Sequence, residues 1–267
     1  MKNDMIGFIG LGNMAKAMIG GMLEKGIVKA EQIIGSAKTE HTVKETAERF
    51  HIRAVSDNRE VAEHAGILFL AVKPQFMADV VDEIKNYITD DILIVSIAAG
   101  KTIEDITKMF GKKVRLIRCM PNTPALVGEG CTGVCRNENV TEEEMNRVME
   151  LLTSFGTASE VTEGLMDAVI GVSGSSPAYV FLFIEAIADG AVAAGMPRKQ
   201  AYEFAAQAVL GSAKMVLETG KHPGELKDMV CSPAGTTIEA VKVLEEKGFR
   251  GAVVDAVLAC VKKSRDM

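Results

Sequence analysis

The chain of 267 residues has no lysine- and arginine-rich block, no long uninterrupted apolar run, only seven prolines and only five cysteines, and each scarcity excludes something. Its net charge of -6 is spread along the sequence, so no basic cluster stands ready to neutralise a row of phosphates, and nucleic acid is not an expected partner. The opening MKNDMIGFIGLGNM is interrupted by Asp4 and by Gly7, Gly10 and Gly12 before an apolar stretch reaches the length of a signal-peptide core. No segment offers about 18 apolar residues free of charges and turn signals, so a membrane-spanning helix is not expected either. Cys119, Cys131, Cys135, Cys231 and Cys260 form an odd set without secretory context, which predicts free thiols in a reducing compartment and a cytoplasmic protein. His41, His51, His64 and His222 are too scattered to pair with Cys131 and Cys135, so no metal site is expected. At 48% hydrophobic and 25% charged residues, the remaining composition is that of a globular protein with ample surface to bury.

A chain of this length exceeds one average domain, because single cores tend to split beyond roughly 250 residues. From Met5 to about residue 160, short apolar runs (6–9, 32–36, 52–55, 67–72, 92–98 and 114–119) alternate with stretches apolar at helical spacing. That alternation predicts an α/β fold, a doubly wound parallel sheet whose strands are covered on both faces. Thr141 with Glu144 reads as a capping box opening a helix. After Glu163 the strand signal stops, and long Ala-, Val-, Leu- and Met-rich segments follow. The expected division is 1–162 for the sheet domain and 163–267 for an all-helical one. Small residues recur along 205–215, allowing helices to approach closely, and helices this apolar predict a large interface between subunits.

Gly10-Leu11-Gly12-Asn13-Met14-Ala15 follows the first strand directly and opens a helix, the context in which G-x-G-x-x-A binds a dinucleotide. Gly10 permits the tight turn, Gly12 lets the pyrophosphate approach, and Ala15 keeps the helix close while its N-terminal N–H groups face the anion. The position about twenty residues on, where an NAD-binding fold presents an acid, carries none. Ser36, Lys38 and Thr39 end the second strand instead, hydroxyls and a cation suited to a 2′-phosphate, so NADPH is preferred over NADH. Ligands of such sheets lie beyond the carboxyl ends of the strands, which brings in Asn58, the Ala71-Val72-Lys73-Pro74 segment, Ala98, Ala99 and, from a rigid double-proline loop, Asn122.

Two later segments break helical periodicity with small polar residues: 172–177, carrying Ser173, Ser175 and Ser176, and 231–237, carrying Gly235, Thr236 and Thr237. Both read as helix N-termini, whose N–H groups suit a substrate carboxylate.

At these residues the sequence resembles the pyrroline-5-carboxylate reductases along essentially the whole chain, through FIGLGNM (8–14), AVKP (71–74), SIAAG (96–100), RCMPNTPA (118–125), GVSGSSPAYVF (171–181) and KDMVCSPAGTTIEAV (227–241). The resemblance implies an N-terminal Rossmann domain and a C-terminal dimerisation domain, with NADPH or NADH reducing the cyclic imine 1-pyrroline-5-carboxylate to L-proline, the last step of proline biosynthesis. It implies homodimers that often assemble further into decamers. It also implies a substrate loop in which Gly235, Thr236 and Thr237 hold the carboxylate, Thr237 serves as proton donor near the ring nitrogen, and Val230 and the Ser173 to Ser176 segment close the pocket. Ala234 departs from the pattern, standing where the family has a second glycine; a positive φ there would strain it.

The residues agree with imine reduction on chemical grounds. Hydride delivery to a C=N carbon needs close stacking in a dry cleft and no strong base. The segment 167–189 contains no Lys and no His, so a β-hydroxyacid dehydrogenase, which opens with a similar GLGxM, would lack its base. A non-catalytic dinucleotide sensor is the other alternative, and it leaves the two polar segments without a role.

Overall fold

The computed structural model describes residues 4–266. Strands and helices alternate through β1 (Ile6–Ile9), α1 (Asn13–Glu24), β2 (Ile33–Ser36), α2 (Glu40–Phe50), β3 (Arg53–Val55), α3 (Asn58–His64), β4 (Ile67–Leu70), α4 (Met77–Ile84), β5 (Leu93–Ser96), α5 (Ile103–Phe110) and β6 (Arg115–Met120). Then come β7 (Gly130–Arg136), α6 (Glu142–Thr153), β8 (Gly156–Glu160) and a last helical turn, α7 (Met166–Val169). Thr39, Thr102 and Thr141 cap α2, α5 and α6 with their hydroxyls, and the last does so in the expected capping box with Glu144.

The sheet runs β3-β2-β1-β4-β5-β6-β7-β8. It is parallel through β6, as the apolar runs predict, because both faces are covered. Along β4 the side chains of Ile67 and Phe69 join one core and those of Leu68 and Leu70 the other. Phe8 and Phe69 stack across the β1–β4 pair at 4.7 Å between ring centroids.

Two strands escape the sequence reading. β7 is antiparallel to β6, since the few residues joining Met120 to Gly130 are too short for a parallel crossover. β8 returns parallel to β7. With two glycines in β7 and a largely exposed GTASE in β8, neither offers the apolar run that marks the central strands.

Two compact units emerge: residues up to Ser175 together with those from Cys260 onward, and residues 176–259. Ser264 Oγ donates to Asp167 Oδ1 at 2.7 Å and Cys260 Sγ to Ser175 Oγ at 3.1 Å, which ties the chain's last turns to the first unit. The second unit is helical: α8 (Ser176–Ala193), α9 (Arg198–Thr219), α10 (Pro223–Val230), α11 (Thr236–Glu246) and most of α12 (Phe249–Arg265). Its interior is slight. Ala188 of α8 and Ala201 and Ala205 of α9 are fully buried where small residues let the two helices meet, while Phe181, Leu182, Phe204 and Leu217 are exposed at 61% or more.

One helical run, Glu163–Ala193, is long and apolar enough to cross a membrane by length and composition alone, with an 18-residue window of mean hydropathy 1.4, although it carries charges and turn residues. Charges at its ends and glycines within it had read as interruptions, yet the helix continues through them.

Gly156 shows how tightly β7 and β8 meet: its φ is 149°, and a Cβ there would lie 2.0 Å from the carbonyl oxygen of Gly130. Gly156→Ala is expected to destabilise the protein by about 3 kcal/mol or more, read as a drop in the midpoint of chemical denaturation.

Candidate functional site

Strand order reverses between β1 and β4, and the crevice at that switch point lies beyond their carboxyl ends. Gly10 occupies it with φ 99°, and a Cβ would stand 2.6 Å from the carbonyl oxygen of Ala71. Its N–H donates to Ser36 O at 3.0 Å, while Ala71 N–H donates to Ile9 O at 2.8 Å, so three strand ends are pinned around the turn. Gly12 is the N-cap residue of α1 and has the opposite environment: a Cβ would meet nothing within 4 Å. No side chain caps α1, and no acidic residue stands in its first turn. The first N–H groups of a 12-residue helix, beginning at Asn13 and Met14, therefore open on space that an anion fits, and Ala15 is buried against the strand behind them.

That space is one end of a cavity of about 610 Å³ lined by Gly10, Leu11, Gly12, Ser36, Lys38, Thr39, Asn58 and Val72, among others. Seven of the expected cofactor residues thus meet in one place. Ser36 is fully buried in the cavity wall, and its Oγ donates to Asn58 Oδ1 at 2.7 Å. Asn58 Nδ2 donates in turn to Glu83 Oε2 at 2.7 Å. Thr39 Oγ1 accepts the N–H of Thr42 as the cap of α2, leaving that helix N-terminus and the exposed Lys38 at the cavity edge.

Thr42, Ser56, Phe76, Asp79 and Glu83 also line the cavity and were not foreseen. Phe76 and Glu83 come from the turn after β4 and from α4, whose helical pattern announces packing but not which face looks inward.

The remaining rim residues differ among themselves. Lys73 and Pro74 open a short 3-10 turn, with Lys73 exposed. Ala98 is buried in the core, so only Ala99 of that pair is partly exposed beyond β5. Asn122 is not turned to the cavity: its Oδ1 accepts from Cys131 N–H at 2.8 Å, and its Nδ2 donates to Ser173 O at 2.9 Å. Cys119 and Cys135, on neighbouring strands, are core residues. Burial pushes the Cys135 thiol up to about 11, the nearby Glu163 carboxylate adding to it, and burial raises Cys119 further.

The polar segment 172–177 reaches the expected helix start at Ser176, where α8 begins, and what precedes it is the end of a π turn, Ile170–Gly174, in which Ser175 N–H donates to Ile170 O at 2.8 Å. Ser173 Oγ donates back to Val169 O, and Ser175 and Ser176 follow it into α8. In the second unit, Gly235 is the N-cap of α11, so Thr236 and Thr237 form its first turn without a side-chain cap, and Val230 ends α10 with its side chain exposed. Ala234 has φ 54°, the left-handed conformation that makes it the strained residue of this loop.

A family model described as Pyrroline-5-carboxylate reductase dimerisation matches residues 163–267, and one described as NADP oxidoreductase coenzyme F420-dependent matches residues 5–100. The pyrroline-5-carboxylate reductase of Escherichia coli (strain K12) is 54% identical over 98% of this chain and 97% of its own length. The chain belongs to the pyrroline-5-carboxylate reductase family. That makes it an oxidoreductase with a nicotinamide-dinucleotide domain and a dimerisation domain. The Methanosarcina acetivorans reductase is 46% identical over 100% of this chain and 99% of its own. The solved structure of the Coxiella burnetii reductase aligns with a TM-score of 0.91 at 35% identity, covering 98% of this chain and 97% of that one. That of Plasmodium falciparum, solved with NADP bound, aligns at 0.89 and 34% identity over 100% of this chain and 98% of that one.

Two outcomes are expected of this geometry. Gly12→Ala leaves the thermal midpoint of the reductase within a degree or two but weakens NADPH binding by about tenfold or more, since its methyl occupies the anion's space; unchanged binding, read by fluorescence titration, would place the pyrophosphate elsewhere. Ala234→Gly relieves the left-handed strain and raises stability by about 0.5–1 kcal/mol in denaturant, less the entropy glycine adds to the unfolded chain.

Proposed function

We infer that the chain reduces 1-pyrroline-5-carboxylate to L-proline as the final step of proline biosynthesis. The observation that carries this is the open, uncapped N-terminus of α1 at the switch point of a chain 54% identical, end to end, to the Escherichia coli reductase. When bound, NAD(P)H supplies the hydride that reaches the imine carbon. The N–H groups following Gly12, at Asn13 and Met14, hold the pyrophosphate, and Gly10 and Ala15 keep strand and helix close enough to do so. Asn58, Ala71, Val72, Lys73, Pro74 and Ala99 form the wall along the dinucleotide.

NADPH is the preferred cofactor in this reading, with NADH second. The absence of an acid after β2 supports it, as do Lys38, Thr39 and the N-terminus of α2 at the cavity edge. Ser36 acts here through Asn58. The acids Asp79 and Glu83 lie in the same cavity, and Glu83 is engaged by Asn58.

For the substrate, the N–H groups of Gly235, Thr236 and Thr237 hold the carboxylate of the cyclic imino acid, with Val230 of the same unit beside them; Ser173, Ser175 and Ser176 are further candidate contacts. Thr237 Oγ–H relays a proton to the ring nitrogen as the amine forms, a transfer that needs no strong base because the product is itself basic. The exposed apolar side chains of α8, α9 and α12 are covered by a second copy in a homodimer, which can assemble further into a decamer, and this cover is the reading preferred for the Glu163–Ala193 run. Five free cysteines accord with a cytoplasmic enzyme. Neither the β-hydroxyacid dehydrogenase nor the dinucleotide sensor is favoured.

The test is the initial rate of NADPH consumption with 1-pyrroline-5-carboxylate, repeated with NADH. Lys38→Ala is expected to lower the NADPH over NADH ratio of kcat/KM about tenfold, the loss of one charge-assisted contact. Thr237→Val is expected to lower kcat at least about tenfold. No consumption by protein that binds NADPH overturns the activity and leaves the fold intact.

A further inference from the structure

Asn122 is assigned by its place in the sequence to the dinucleotide, yet the residue is 7% exposed and both ends of its amide are occupied by backbone. We propose that Asn122 is a positioning residue for the Ser173 to Ser176 segment, a bracket that sets the π turn against β7, and not a ligand of the dinucleotide.

The argument begins with the groups that need a partner. In an ordinary helix the carbonyl of Ser173 would accept from the residue four places on. That residue is Pro177, which has no N–H. The π geometry just before it shifts the pairing as well, with Ser175 N–H reaching back to Ile170 O. Asn122 Nδ2 supplies the missing donor at 2.9 Å. At its other end, β7 pairs with β6 only from Gly133 onward, so the N–H of Cys131 lies beyond that ladder, and Asn122 Oδ1 accepts it at 2.8 Å. One buried amide thus joins three pieces of chain, the end of β6, the start of β7 and the π turn, spanning 9 and 51 residues of sequence.

Two further contacts brace this turn. Gly174 lies against the side chain of Met120, so close that a Cβ there would come within 3.1 Å of its terminal methyl. Ser175 Oγ accepts from Cys260 Sγ at 3.1 Å. The direction in which Ser175 and Ser176 are presented is therefore set from below by β6 and its loop, and Asn122 is the polar link in that support. An amide suits the position because it donates at one end and accepts at the other; neither a carboxylate nor an alkyl group does both.

The proposal rests on the reading of Ser173, Ser175 and Ser176 as substrate contacts, so the experiment separates the two. Asn122→Asp keeps the acceptor for Cys131 and removes the donor for Ser173; Asn122→Ala removes both, and the aspartate variant serves if the alanine one does not fold. Three quantities are read on the full-length protein: the Kd for NADPH by fluorescence, KM and kcat for 1-pyrroline-5-carboxylate, and hydrogen–deuterium exchange across 171–178. A positioning role gives an NADPH Kd within about twofold of the parent, an imine KM raised about tenfold or more with kcat within about threefold, and faster exchange confined to 171–178. An NADPH Kd weakened tenfold with the imine KM unmoved overturns the proposal, because Asn122 then holds the dinucleotide. Unchanged KM and unchanged exchange, with or without a lower melting temperature, overturn it as well. If the parent consumes no NADPH with the imine, the substrate reading alone fails, and exchange together with the NADPH Kd still decides whether Asn122 brackets the turn.

Discussion

At the switch point of the sheet, Gly10 passes so close to the carbonyl of Ala71 that any side chain would force β1 and β4 apart. The rest of the nucleotide domain is arranged around that approach. It lets the chain turn within Gly10 to Gly12 and start α1 with no cap, which leaves the helix's first N–H groups and positive end facing the cavity. The apolar faces of β1, β4 and β5, buried on both sides, hold the strands that bring the two residues together. The two glycines differ in this: a Cβ at Gly10 would strike the backbone of Ala71, whereas one at Gly12 would meet only open space.

The helical unit obeys another balance. Its own interior amounts to a few alanines where α8 meets α9, and large apolar side chains stand outside. A helix that exposes residues such as Leu217 and Phe204 has a favourable contact still to make, on the order of 25 cal/mol for each Å² covered. The match to a dimerisation domain covers the same stretch, 163–267. The same apolarity gives Glu163–Ala193 the composition of a membrane span, so composition alone does not separate the two environments.

Polar side chains near the nucleotide end do much of their work on one another. Ser36, Asn58 and Glu83 form a hydrogen-bonded chain along the cavity, and Asn122 ties loop to strand and turn. A hydroxyl or amide in a motif region is easily assigned to the ligand from sequence, because sequence shows which groups are available and not which are already paired. Ser36 and Asn122 are two residues whose polar atoms already have partners within the chain.

The central strands, their parallel order and the start of α1 were legible in the sequence, because apolar runs of the right length and a glycine loop in the right place have few other physical solutions. So was the all-helical second half, from the loss of any strand pattern after Glu163. The family could be read from motifs that fall in order along the whole chain. What only the tertiary structure decided were features set by partners distant in sequence. β7 takes its direction from a connection too short to cross over, and β8 is a strand because β7 offers it an edge. The Ser173 turn is π-helical just ahead of α8, with contacts from Asn122, Met120 and Cys260, up to 85 residues away. Local periodicity reports the face a residue turns to the core, but a hydrogen bond between remote segments leaves no period to read.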